Sequence, residues 1–151
     1  MSVLSAVKSY LQGYIDEADE DRPVWVNHLR EEPVDYAIVP LGGGRKVSTY
    51  VHGNSGLREF TFAFQSSRFT ADEAERVGNI EFFETLAQWL DDQTEAGTLP
   101  DLDPGEDETG YVSNGLTALE IEALGFGYLF EQGESSTGVY QIQCRLEYSK
   151  E

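Results

Sequence analysis

Near the end of the chain stands the segment Val139-Tyr140-Gln141-Ile142-Gln143-Cys144-Arg145-Leu146-Glu147-Tyr148. Tyr140, Ile142, Cys144, Leu146 and Tyr148 fall on one side of a period-two repeat, and Gln141, Gln143, Arg145 and Glu147 on the other. Successive side chains of a strand point to opposite faces, so the repeat predicts a strand with one face in a core and one in water. The same pattern runs through residues 58–67, where Phe60, Phe62 and Phe64 alternate with Glu59, Thr61 and Ala63. Two such strands define a sheet with one apolar face, and that face needs a covering layer.

Working outward, shorter strands are predicted at residues 24–26, at 35–39 between Pro33 and Pro40, and at 46–52 with Val47, Thr49 and Val51 on one face. Two more follow at 117–122 and 127–131. Gly42-Gly43-Gly44, Gly53-Asn54-Ser55-Gly56 and residues 133–138 read as turns. Val3, Leu4, Val7, Tyr10, Leu11, Tyr14 and Ile15 recur at helical spacing, so a helix is predicted over 3–18, capped by Ser2 and stopped before Pro23. Thr70-Ala71-Asp72-Glu73 matches a capping box that begins a helical turn. Gly78 interrupts it, Asn79 caps a second stretch, and a helix is predicted over 80–95, with Gly97 and Pro100 beyond its end. Short spacing between strands predicts antiparallel hairpins. The fold class is α+β: a mostly antiparallel sheet with two main helices packed on one face, in a single domain spanning 1–151. Residues 100–114 form an acidic loop within it.

Composition narrows the function. In 151 residues, 40% are hydrophobic and 12% aromatic, enough for a packed core and against disorder. The 28 acidic and 10 basic residues give a net charge of −18, which repels nucleic-acid phosphates and anionic membranes. Cys144 is the one cysteine, so no internal disulfide is expected. The first residues carry no long apolar run and no stretch of eighteen apolar residues occurs, so a soluble domain made in the cytoplasm is expected.

Motifs for chemistry fail on context. The triple glycine at 42–44 is followed by Arg45-Lys46-Val47 opening a strand, whereas a phosphate loop needs Gly-Lys-Ser/Thr opening a helix. Gly53-Asn54-Ser55-Gly56 is one residue short of a nucleophile elbow and sits between strands. Counting from Asp101, the sixth and twelfth positions are Glu106 and Val112, which breaks the calcium-loop pattern. His28 and His52 have no spaced partner for zinc, and Cys144 falls on the apolar side of its strand. The expectation is therefore no enzyme, no cofactor and no metal. Trp89 lies at the edge of the second helix's apolar stripe, either flanking the core or anchoring an interface.

The residues from Pro33 to Tyr148 resemble a known family. The resemblance is carried by Pro33-Val34-Asp35-Tyr36-Ala37-Ile38, by Phe60-Thr61-Phe62-Ala63-Phe64-Gln65-Ser66-Ser67-Arg68, and by Phe82-Phe83-Glu84 through Trp89-Leu90, Gln93, Gly97 and Leu99-Pro100. Gly127-Tyr128-Leu129 and Tyr140-Gln141-Ile142-Gln143-Cys144-Arg145-Leu146 complete it. The pattern is similar to the minor capsid, tail-terminator-like proteins of phages and prophages of Gram-positive bacteria.

That resemblance implies a structural virion protein at the head–tail junction, made in the host cytoplasm. Such a subunit forms a ring, six-fold in the virion, that caps the tail tube and stops its polymerisation. Its expected partners are its own copies, the tube protein and a head-completion protein, with DNA passing through the channel unbound and no membrane involved. Trp25, Lys46, Thr49, Tyr50 and Trp89 are candidate subunit-interface residues, the strand edge at 46–52 being free to pair with a neighbour. Six copies would carry a formal charge of about −108, six times −18, and an acidic channel wall lets DNA slide. Asp101, Asp103, Glu106, Asp107 and Glu108 are the candidate channel residues because they share one loop. Two other readings stand beside this one: another head–tail connector or tail tube subunit, and an acidic inhibitor or immunity-type protein that binds a basic partner.

Overall fold

A computed structural model of the chain describes residues 3–18, 22–29, 34–42, 46–49 (backbone alone), 56–103, 114–133 and 136–151. In chain order these form α1 (Val3–Ala18), β1 (Val24–Val26), β2 (Asp35–Pro40), β3 (Lys46–Thr49) and β4 (Gly56–Phe69). They continue with α2 (Glu73–Ala96), β5 (Leu116–Ala123), β6 (Tyr128–Gln132) and β7 (Thr137–Lys150).

The two strongly alternating segments become the centre of one seven-stranded sheet. β4 and β7 pair antiparallel along their whole length, from Gly56 opposite Lys150 to Phe69 opposite Thr137. Each carries two shorter strands on its other side. β3 lies against the Gly56–Arg58 end of β4, and β2 against Phe62–Ser67. β5 lies against the Cys144–Lys150 end of β7, and β6 against Gly138–Gln141. Every pairing is antiparallel except β1–β2, which runs parallel from Val24 opposite Tyr36 to Val26 opposite Ile38. The hairpin expectation is corrected there. Alternation identifies a strand but not its direction, and a parallel neighbour needs a returning connection that local spacing does not reveal.

The register puts Tyr36, Ile38, Phe62, Phe64, Ile142, Cys144 and Leu146 on one face, all buried. Both helices cover that face. α1 contributes Ala6, Val7, Leu11 and Ile15, and α2 contributes Phe83, Leu86 and Leu90, in one continuous apolar cluster. Each fully buried Phe, Leu or Ile is worth about 1.5–3 kcal/mol relative to exposure. The helices also meet each other. Trp89 packs against Tyr14 and Tyr10 with ring centroids 4.7 and 5.1 Å apart, and Tyr14 lies 6.5 Å from Phe82.

α2 differs from its sequence expectation. It is one helix from Glu73, and its N-cap is Asp72, whose carboxylate accepts from Glu75 N at 2.8 Å. Thr70 instead receives Arg76 Nη1 on its carbonyl at 2.8 Å. Gly78 does not break the helix, because it sits on the exposed side, where its cost is about 1 kcal/mol. Asn79 is inside the helix, and its buried side chain donates to Phe69 O at 2.9 Å, tying α2 to the end of β4. The far end is as expected: Gly97 is left-handed (φ 76°), and Thr98 N reaches back to Gln93 O at 3.0 Å. The Ser2 cap, residues 43–44 and 53–55 of two turns, the 50–52 part of the third predicted strand and 104–113 of the acidic loop lie outside the described residues.

Candidate functional site

The face of the sheet away from the helices is polar and organised around one cation. Arg145 Nε donates to Glu59 Oε2 at 2.8 Å, Nη2 to Glu147 Oε2 at 2.5 Å, and Nη1 lies 3.7 Å from Glu122 Oε1. The register forces this meeting, since Thr61 and Glu122 both stand opposite Arg145 on the flanking strands. Hydrogen bonds to Glu59 and Glu147 raise the Arg145 pKa above the ordinary guanidinium value. Burial, then the hydrogen bond and charge of Glu120, push the Glu122 carboxyl up, and these outweigh the opposing pull of Arg145. Further along, Gln65 donates to Gln141 at 2.9 Å and Gln141 donates to the Tyr128 hydroxyl. On the β1 side, Trp25 Nε1 donates to Asp35 Oδ1 at 3.1 Å, and Asp35 N to Ser67 Oγ at 3.1 Å.

The sheet margins are treated unequally. A bare strand edge invites pairing with another chain, so its backbone groups are usually covered. On β1, Gln12 from α1 does this: its Oε1 accepts from Val24 N at 2.7 Å, and its Nε2 donates to Arg22 O at 2.8 Å. On β5, the Thr94 hydroxyl of α2 accepts from Ile121 N at 3.0 Å and donates to Ile121 O at 2.8 Å. β6 receives no such side chain among the described residues and pairs only with β7. All five of its residues are exposed, including Tyr128 at 41%, Leu129 at 43% and Phe130 at 53%. Leu124 and Phe126, in the connection before it, are 50% and 82% exposed. Exposed apolar side chains gathered in one segment make it a candidate interaction surface.

A cavity of about 340 Å³ opens beside this margin, between α2 and the β5–β6 connection. Phe83, Ala87 and Ile142 form its floor, and Glu84, Gln88 and Asp91 rim it. Gly127 makes the close approach possible: a Cβ there would stand 2.3 Å from Phe83 Cβ.

The predicted site residues fall in different places. Trp25 is half-buried on the polar face beside Asp35. Lys46 and Thr49 are the ends of β3, in register with Arg58 and Gly56. Tyr50 lies outside the described residues, as do Glu106, Asp107 and Glu108. Asp101 is exposed and accepts from Asp103 N at 3.1 Å. Trp89 turns its ring into the contact with α1. The residues of the β6 margin were not singled out from sequence, although Tyr128-Leu129-Phe130 is an unbroken apolar run, which places an apolar side chain on both faces of its strand. Among the described residues, no group of three or more His, Cys, Asp or Glu is placed to hold a metal ion. No described helix is long and apolar enough to cross a membrane.

Comparison with known proteins leaves the resemblance resting on the residue pattern alone: no protein-family model matches the chain, and no curated protein is significantly similar to it.

Proposed function

We propose that this chain is a non-catalytic structural subunit of a phage virion, a tail terminator whose ring caps the tail tube at the head–tail junction. The observation that carries the reading is the exposed apolar margin of Leu124, Phe126, Tyr128, Leu129 and Phe130 on a chain otherwise rich in surface charge. Such a margin calls for a protein neighbour, and a ring subunit has one on each side. The polar face and the net charge of −18 suit a channel through which DNA passes without sticking. In that ring Asp101, Asp103, Glu106, Asp107 and Glu108 line the lumen. Virion localisation, the tube protein and a head-completion protein as partners follow from the same reading.

Mass by light scattering at low and high salt, followed by electron microscopy with purified tail tubes, tests it. A ring near six copies, or a cap at one tube end, is the expected result. A persistent monomer that ignores tubes overturns the reading, and self-polymerisation into filaments assigns a tube subunit instead. Unchanged DNA ejection after replacing the five loop carboxylates by Asn or Gln removes the lumen assignment. One feature favours a second reading, an acidic inhibitor of a basic partner: the cavity rim of Glu84 and Asp91 over an apolar floor suits an apolar anchor flanked by Lys or Arg.

A further inference from the structure

Charge is segregated along this chain. From Tyr36 to Arg58 there is no acidic residue, and that stretch contains Arg45 and Lys46. From Val77 to Cys144 there is no Lys or Arg. The fold places one strand of each stretch, β3 and β6, on opposite sides of the central β4–β7 pair. Among the described residues, β3, in the acid-free stretch, pairs only with β4, and β6, in the base-free stretch, pairs only with β7. The other two marginal strands, β1 and β5, have backbone groups covered by Gln12 and Thr94. Among the described residues, two helix side chains thus cover two edges, and no such cover reaches β3, which begins at Lys46, or β6, which carries Glu131 beside its apolar residues.

From this we infer that β6 of one copy receives β3 of a second copy, so that the sheet continues from subunit to subunit. The inference deepens the ring reading above by naming the strands that meet. Main-chain hydrogen bonds supply the contact, and the apolar side chains of Tyr128, Leu129 and Phe130 are covered by the incoming strand. Glu131 on β6 comes opposite Ser48 of β3, diagonal to Lys46. The pairing is heterologous, using different surfaces on the two partners, so every copy offers one free edge of each kind until a ring closes. The net charge of −18 repels copies at a distance, but that repulsion is screened beyond about 8–10 Å, and the local charges at the two margins are opposite in sign.

The geometry adds a constraint. β3 sits at the Gly56 end of β4, and β6 sits opposite the part of β7 that pairs with Gln65–Arg68. The two edges are therefore offset by about nine residues along the strands, roughly 30 Å at 3.3 Å per residue. Joined copies step along the strands as well as across the sheet, and closure requires strands oblique to the plane of the ring.

The test uses the full chain with single cysteines, Ser48→Cys on β3 and Glu131→Cys on β6. Cys144 is buried and does not compete. Each variant is checked for the wild-type circular dichroism spectrum, oxidised alone, and oxidised after mixing with the other. The expected result is a disulfide between unlike variants in about tenfold excess over either like pair, as a heterologous contact requires. Dominant Glu131→Cys homodimers indicate a two-fold contact and overturn the inference, as does cross-linking no faster than collision. Tail tubes added to the mixed variants before oxidation separate this result from the ring reading. Capped tubes without the 48–131 cross-link remove the strand pairing and leave the terminator. Cross-linked open filaments keep the strand pairing and remove the terminator.

Discussion

Replacing Thr94 by Val tests whether one helix hydroxyl covers the β5 edge. Valine has the same shape, so the substitution removes two hydrogen bonds, to Ile121 N at 3.0 Å and Ile121 O at 2.8 Å, with little change in volume. At about 0.5–1.5 kcal/mol each, the loss is about 1–3 kcal/mol. For a chain of this size that lowers Tm by roughly 2–12 °C, at about 2–4 °C per kcal/mol. Urea unfolding followed by circular dichroism gives the stability directly, as a lower midpoint with unchanged slope. Thr94→Ser keeps the hydroxyl and loses a methyl group, so it retains most of the stability. Sedimentation of Thr94→Val adds a second readout: an uncovered β5 edge yields larger species, since nothing then occupies Ile121's outward backbone groups. A midpoint equal to wild type refutes the reasoning. So does a Thr94→Ser variant that falls as far as Thr94→Val, because the methyl group would then carry the effect.

Three further outcomes are expected. Gly127→Ala drives a Cβ to within 2.3 Å of Phe83 Cβ and costs about 1–3 kcal/mol; in urea unfolding, the cost persists in a Phe83→Ala background, because alanine keeps the Cβ that is met. Glu122→Gln stabilises the protein at pH 7. The Glu122 pKa is raised in the folded state, so the ionised form opposes folding; the gain is lost at pH values low enough to protonate Glu122 in both states, as melting across pH would show. Its side chain is 36% exposed, which keeps the effect below about 1 kcal/mol. Cys144 is 1% exposed and burial pushes its thiol pKa up, so iodoacetamide leaves the native protein unmodified and labels it once urea unfolds it, as mass spectrometry reads.

How much of this was legible in the sequence depended on the range of the interaction. β4 and β7 were readable because each strand carries two chemically different faces, and burial of one face fixes its alternation. α1 was readable for the same reason at helical period. The parallel pairing of β1 and β2 was not, because Val24-Trp25-Val26 is too short to show direction and its partner is set through Gln12 and Asp35. Asn79 looked like a cap because its residue type favours one, and only the position of Phe69 O explains its place inside α2. Thr94 and Gln12 carried no signal, since a single polar residue on a helix has no period. The strand that carries Lys46 and Thr49 was legible from its alternation. The strand at 127–131 was legible too, but its place as an exposed apolar margin was not, because that depends on which strands the fold leaves at the rim of the sheet.

The full-length pairing of β4 with β7 has a mechanical consequence. At about 3.3 Å per residue, 14 residues extend roughly 46 Å, close to the length of the subunit's sheet. A pull directed along these strands loads their cross-links side by side, in shear, so that many must give together. β1 holds by three residue pairs and β6 by four, and a load reaching them is shared by few. Under tension the sheet would therefore yield at its rims while its central pair kept its length.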